Sequence, residues 1–235
     1  MPDAQQGPWK YIVMWLRFYY AFHFLKSGLN YAIFNVIPDF SKAGAVGPYL
    51  AEMNNVGFYP FIKYLEIVLG AMLLFNILVP VALAVMAGIA FQIIYLNYFV
   101  SPHPRQLFTA TQELLLSGLL LLSYGKYYAQ LFHLKATPGY PWQSDTPSAA
   151  APRSTPVPAV HQPRAKDYAI LLGITVVWTL IVIGFSTTMV QRPLRIYDWG
   201  PPVFACALSL VLMKWSDLQG AKGGTPGMGT AHPAT

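Results

Sequence analysis

The chain has 235 residues, of which 55% are hydrophobic and only 10% charged, far below the roughly one-quarter charged fraction of a soluble domain, so an ordinary soluble enzyme is excluded and a lipid environment is indicated. The formal net charge of +6 does not indicate nucleic acid, because the basic residues are scattered over loops and helix ends without a stripe or reading motif. A single cysteine, Cys206, excludes an intrachain disulfide, a CxxC redox pair and a thiolate metal site.

In chain order, the polar lead MPDAQQGPWK runs directly into a long segment holding Arg17, His23 and Lys26. No small-residue cleavage site follows, so this segment reads as a retained first span, from about Tyr11 to Ile37, ending at Pro38. The polar loop from Asp39 to Tyr59 has the size of a small extramembrane cap. Pro60 to Val100 is long enough for two crossings at about 20 residues each, with the turn at Asn76 and Pro80 in FNILVP. A fourth span begins near Gln106, after the breaker SPHPR, and runs to about His133; Tyr124, Tyr127 and Tyr128 at its end suit an interfacial belt. Residues 1–134 therefore predict an all-α integral membrane domain, an antiparallel four-helix transmembrane bundle.

Composition changes abruptly after that. Seven prolines fall between Ala136 and Lys166, and residues 135–166 read as an extended, disordered linker. Residues 167–215 predict a C-terminal pair of apolar helices: a fifth span from Asp167 to about Val190, and a sixth candidate from about Pro201 to Trp215 that is near the lower length limit for crossing. The Gly/Thr/Pro/Ala-rich tail, 216–235, reads as disordered. With six spans and an inside N-terminus, nine Lys and Arg residues fall on the inner side and five on the outer, leaving Lys26 within the first span. Positive-inside bias then places both termini in the cytoplasm.

Charges inside such spans are expensive: translocon scales put a central Lys or Asp at about 2.5–3.5 kcal/mol. Polar residues nevertheless concentrate at one depth, where the end of span one, the start of span two, the end of span three and the start of span four meet. Span one brings His23, Lys26 and Asn30 onto one helical face with Tyr19, span two brings Lys63 and Glu66, span three Gln92 and Asn97, and span four Thr109, Gln112 and Glu113. Two lysines and two glutamates form a neutral set, which predicts that they face one another, Lys26 with Glu66 among them. Small residues on each span, Ser27 and Gly28, Gly70 and Ala71, Ala87 and Gly88, Ser117 and Gly118, predict close backbone approach.

The ligand-binding candidates are thus His23, Lys26, Asn30, Lys63, Glu66, Gln92, Asn97, Gln112 and Glu113. One reading of them is structural, Lys–Glu pairs fixing helix register. Another is a polar pocket in which amide, imidazole and ammonium donors hydrogen-bond a quinone carbonyl while Glu66 or Glu113 relays protons; transport of protons or small solutes is a third. Haem is disfavoured, because His23 is the only histidine well inside a span and no second histidine shares its depth. No HExxH or clustered His/Asp motif predicts a metal, no covalent cofactor is expected, and no residue set identifies a self-contained catalytic centre.

Three stretches resemble the DoxX/DoxX-like family of small bacterial membrane proteins. LRFYYAFHFLKSGLNYAIF is similar to that family's opening helix. YPFIKYLEIVLGAMLLFNILVPVAL places Lys63, Glu66, Gly70 and Asn76 at its lysine, glutamate, glycine and turn positions. ELLLSGLLLLSYGKYY completes the four-helix pattern over about residues 11–134. Ile77 stands where the family's turn commonly has a basic residue. The resemblance implies a bacterial cytoplasmic-membrane protein associated with oxidoreductase systems: a membrane subunit or adaptor of a quinone-linked redox or redox-detoxification process. The partners to expect are the lipid bilayer, soluble or membrane redox proteins and further copies of the chain in a homo-oligomer, and not nucleic acid. The competing expectation is a non-enzymatic anchor that recruits soluble partners through its linker and tail.

Overall fold

The computed structural model describes residues 8–128, 163–188 and 196–223; most of the linker and the tail lie outside them. Every regular element among the described residues is helical. Helix α1 is Trp9–Phe34, two short 3-10 turns follow at Phe40–Lys42 and Gly44–Val46, and α2 is Gly47–Asn55. Then come α3, Phe58–Leu74; α4, Val79–Tyr95, extended by a π-helical turn at Leu96–Val100; α5, Pro104–Ser123; and the single turn α6, Gly125–Tyr128. Helices α7, Ala165–Thr188, and α8, Ile196–Gly223, complete the elements of the described residues. The fold divides into two compact units, one holding α1 up to Tyr19 with α7 and α8, the other beginning at Tyr20 and running through α6.

In the second unit, local chemistry sets the helix ends. Asn76 takes a left-handed conformation, φ 61°, and the amides of Asn76 and Ile77 bond back to the carbonyls of Leu73 and Met72. This paired closure is a Schellman cap, in which asparagine is the tolerated substitute for glycine. Pro80 sits in the first turn of α4, where its missing N–H costs nothing. The predicted hairpin turn is therefore where the sequence places it. Close approach between α1 and α3 depends on two glycines. A Cβ on Gly28 would lie 2.5 Å from the Lys63 carbonyl oxygen, and one on Gly70 would lie 2.7 Å from Leu25 Cγ. Contacts advance along α1 as they retreat along α3, so the two run antiparallel. Gly88 and Gly118 differ from the expectation: nothing lies within 4 Å of where their Cβ atoms would be. Helices α4 and α5 are tied at both ends, by Tyr98 to Thr111 at 2.7 Å and by the Tyr128 hydroxyl donating to the Pro80 carbonyl.

In the first unit, Trp15 donates from Nε1 to the Pro202 carbonyl at 3.2 Å and Trp178 donates to the Tyr19 hydroxyl at 2.9 Å. Asp167 reaches back to the Arg164 amide at 2.8 Å, half of a capping box that starts α7. Helix α8 is longer than the predicted 201–215 segment and runs through Pro201 and Pro202. Both lie early in the helix, and the Pro202 carbonyl is taken up by Trp15.

Among the described residues, two helices, Val79–Val100 and Ala165–Thr188, are long and apolar enough to cross a membrane, or three spans if the pair Gly44–Asn55 and Phe58–Leu74, bent by 84°, is counted as one. The predicted six do not all meet that standard, for visible reasons. Helix α1 carries Lys10, Arg17, His23, Lys26 and four tyrosines, α3 has only 17 residues, α5 carries Arg105, Gln112 and Glu113, and α8 has its proline pair, Lys214 and Asp217. Yet the polarity of α3 and α5 is inverted relative to a soluble bundle. Phe61, Tyr64 and Val68 on α3, and Leu114, Leu115 and Leu122 on α5, point outward, whereas Glu66, Gln112, Glu113 and Ser117 are buried.

Candidate functional site

Helix α1 presents two polar contacts on successive turns within the second unit. At Ser27, the hydroxyl accepts a 2.8 Å hydrogen bond from Lys63 Nζ, and the same ammonium donates to both oxygens of Glu66 at 2.8 and 3.0 Å. The three donors of Lys63 thus have three acceptors, and the ring of Tyr59 lies 5.2 Å from Nζ. Glu66 is buried and both its oxygens are charge-paired. A closed group of this kind fixes the register of α1 on α3, and Ser27, expected only as a small residue, is its third member.

One turn deeper, about 6 Å along the helix at 1.5 Å per residue, His23 Nε2 lies 2.6 Å from Glu113 Oε1. Gln112 Nε2 approaches His23 Nδ1 at 3.4 Å. With the Gln112 amide donating to Nδ1, the ring proton sits on Nε2, the nitrogen nearer the carboxylate. The Glu113 side chain is 1% exposed, the His23 side chain 24%. Neither carboxylate oxygen has a hydrogen bond among the described residues, Oε1 meeting His23 by distance alone, and the hydroxyl of Tyr20 has none either; Tyr20 is itself fully buried. Ser117 on α5 turns its hydroxyl to the Glu113 backbone carbonyl. The result is a closed-in carboxylate with spare lone pairs, reached through a half-buried imidazole.

The nine sequence candidates are therefore distributed rather than gathered in one pocket. His23, Gln112 and Glu113 form the imidazole–carboxylate group, and Lys63 and Glu66 the closed pair. The partner the structure provides for Glu113 is a histidine rather than a lysine, because Lys63 is held by the carboxylate one turn along its own helix. Gln92 points to the cap instead, donating to the Tyr49 hydroxyl at 2.6 Å and to Met53 Sδ at 3.8 Å on α2. Asn97 lines a cleft beside the first 3-10 turn. Lys26 and Asn30 are half-buried on α1. Tyr20, which the sequence reading passed over in favour of Tyr19, lies three residues before His23 and so on its face; Tyr19 instead meets Trp178. Among the described residues no three His, Cys, Asp or Glu side chains come together to hold a metal ion.

The chain matches no protein-family model, and no curated protein or solved structure is similar to it.

Proposed function

We propose that the chain is a DoxX-like membrane subunit of a quinone-linked redox system, in which α1, α3, α4 and α5 cross the bilayer together and the His23–Glu113 pair handles protons at a quinone-type ligand. The observation that carries this reading is the 2.6 Å approach of a half-buried imidazole to a carboxylate that is 1% exposed and has a hydrogen bond on neither oxygen among the described residues. A structural pair satisfies its lone pairs, as Lys63 and Glu66 do; an orphaned acceptor in a low-dielectric core costs about 1–3 kcal/mol and is retained where it has chemistry to perform. The membrane placement of the four helices rests on the inverted polarity of α3 and α5, which is stable only with apolar solvent outside, and on the apolar length of α4.

The proton inventory of the pair suits such a ligand. A quinol supplies two protons and two electrons on oxidation. His23 accepts the first proton at Nδ1, where the 3.4 Å contact from Gln112 is weak enough to displace, and passes the proton on Nε2 to Glu113, while the second proton leaves to water at the exposed edge of the imidazole. Glu113 stores the proton it receives, with the free oxygen and the Tyr20 hydroxyl as the onward acceptor and donor. Electrons leave to a partner redox protein. Lys63 and Glu66 take no part, since all their donors and acceptors are engaged within the group.

The test is extraction of bound small molecules from detergent-purified protein and quantification of quinones by mass spectrometry, for wild type, His23→Phe and Lys63→Met. Near-stoichiometric quinone in wild type, lost in His23→Phe and kept in whatever Lys63→Met remains folded, is the expected result. Lipid background alone, equal in all three, refutes the quinone site and leaves the anchor role.

A further inference from the structure

A second polar site lies where α4 passes into α5, away from the His23–Glu113 pair. A cleft of about 620 Å³ opens there against the two 3-10 turns, within the range of roughly 300–1,000 Å³ typical of small-molecule sites. Its half-buried polar lining is neutral: the amides of Asn97 and Gln106 and the hydroxyls of Ser101 and Thr109. The charged lining residues stand exposed at the rim, and each is already engaged. Lys42 pairs with Asp39 at 2.9 Å, Asp39 also accepts from the Ser41 hydroxyl and amide, and Arg105 has an interaction of its own. A ligand here is therefore selected by hydrogen bonds rather than by charge.

The bonds already made inside the cleft set the direction of the ones it has left. The Ser101 hydroxyl donates its proton to the Gln106 side-chain oxygen at 3.1 Å, and the Thr109 hydroxyl donates its own to the Arg105 carbonyl at 3.0 Å. Each hydroxyl has one proton, so both face a ligand as acceptors. Gln106 keeps its NH₂ to donate, and Asn97 carries a donor and an acceptor on one amide. At the rim, His103 accepts the Arg105 amide on Nδ1 at 3.4 Å, which leaves Nε2 as a further donor. Fixed acceptors and fixed donors thus stand side by side. A phosphate or carboxylate only accepts, and would set its lone pairs against those of Ser101 and Thr109. An ammonium only donates, and would meet the NH₂ groups. A hydroxyl does both, and neighbouring hydroxyls on one ligand present the two roles together.

The wall of the cleft is formed by backbone. The π-helical turn Leu96–Val100 closes with the Ser101 amide on the Leu96 carbonyl at 3.0 Å, with Asn97 and Ser101 both on the lining, and such turns recur at functional positions. From the loop side, Gly44 adopts φ +64°, and a Cβ there would lie 3.2 Å from Ser101 Oγ, so the loop comes close through a residue with no side chain.

We propose that this cleft binds an uncharged sugar or polyol, with the NH₂ groups of Asn97 and Gln106 donating to its hydroxyl oxygens and Ser101 and Thr109 accepting its hydroxyl protons. Two sources present that chemistry, the head group of a neutral glycolipid and a free sugar. The quinone reading plays no part in this proposal, and either stands without the other.

The experiment is a binding titration on the full chain in an amine-oxide detergent, because a maltoside or glucoside would itself offer the ligand; native mass spectrometry and thermal shift read it. The probes are glucosyl-dioctanoylglycerol and methyl β-glucoside. The controls are dioctanoylglycerol, which has the same chains and no sugar, and methyl β-glucuronate, which adds a carboxylate to the same ring. Saturable binding of the glucosyl lipid alone assigns the head-group source, and comparable binding of methyl glucoside assigns the free sugar. In both cases Thr109→Val weakens binding about threefold, the loss of one neutral hydrogen bond, and Asn97→Leu about tenfold, the loss of two. Both variants keep the shape of the side chain they replace. Lys42→Gln, which changes a rim charge already paired with Asp39, leaves affinity unchanged. No saturable binding of either sugar probe, dioctanoylglycerol bound as well as the glucosyl lipid, methyl glucuronate bound more tightly than methyl glucoside, or affinity kept in both Asn97→Leu and Thr109→Val overturns the proposal.

Discussion

Replacing each of the two buried glutamates by leucine separates a carboxylate that holds the fold from one that is carried at its expense. Glu66 is 2% exposed and Glu113 1% exposed, so leucine substitutes similar buried volume in both. Glu66→Leu strands the Lys63 ammonium, whose side chain is only 14% exposed, with Ser27 as its remaining acceptor. Breaking a buried pair from one side costs about 3–5 kcal/mol, and residual exposure at Lys63 brings the expected loss to the low end, about 3 kcal/mol. Glu113→Leu removes one charge-assisted contact to His23, about 1.5–3 kcal/mol, and at the same time relieves an orphaned oxygen that costs about 1–3 kcal/mol. The His23 side chain is 24% exposed and keeps its contact with Gln112, so it is not stranded in the core. The terms nearly cancel, and the expected change is about zero, a gap of about 3 kcal/mol between the variants. Thermal unfolding in maltoside, checked by denaturant titration in mixed micelles, reads the difference. Equal losses for Glu66→Leu and Glu113→Leu would show that the His23–Glu113 pair is a structural brace and would remove the physical basis for placing chemistry there.

Gly28→Ala forces α1 and α3 apart against the Lys63 carbonyl and Ile67 and is expected to cost about 1–3 kcal/mol as overpacking. Gly88→Ala, with open space at its Cβ, is expected to be neutral or to gain up to about 1 kcal/mol in helix propensity; the same melting assay reads both, and a Gly28→Ala melt no lower than that of Gly88→Ala counts against the close α1–α3 packing. In the cap loop, the Ser41 hydroxyl and then Lys42 hold the exposed Asp39 carboxyl below its usual value of 3.8. A carboxyl lowered in the folded state contributes order above its unfolded value and loses it as pH falls through the folded value. Hydrogen exchange at the Ser41 amide, corrected for intrinsic rate, is therefore expected to accelerate in wild type between about pH 5 and pH 2 and to stay level in Asp39→Asn; parallel profiles would refute the cap.

Much of this architecture was legible in the chain. The hairpin turn was readable because Asn76 and Pro80 act through local backbone preference, and local preferences survive whatever the rest of the fold does. The cap was readable from a polar, glycine-containing loop between two apolar runs. What pairs with what was less accessible. Spacing put Lys63 and Glu66 three apart, but nothing in the sequence says that Ser27 completes them, because a serine on a small-residue face reads equally as packing. Tyr19 and Tyr20 were indistinguishable by type, and only the rotation of α1 decides that Tyr20 turns toward Glu113. Asn97 was assigned to the core because it sits near the end of an apolar helix; the π turn, which no local residue preference signals, swings it into the cleft instead. The proline pair in α8 reads as a boundary, whereas the helix begins upstream of it and continues through.

Access decides what an imidazole–carboxylate pair can do. The gradient from 24% exposure at His23 to 1% at Glu113 makes the imidazole the point of entry and the carboxylate the interior. On the cap side, Gln92 holds α2 through Tyr49 and Met53, so α2 lies over the end of α4. The outer surface of α5 next to Glu113 is different: Leu114 and Leu115, the next two residues, are exposed and apolar. A ligand reaching His23 along that surface must therefore carry an apolar tail, while its reacting head must offer a proton donor or acceptor to an imidazole. A water-soluble carrier meets only the second requirement and an ordinary acyl lipid only the first. On the proposed reading, a quinone with an isoprenoid tail would meet both, its tail on the leucines and its head at the imidazole, and that is what the leucines beside the pair add to the proposal.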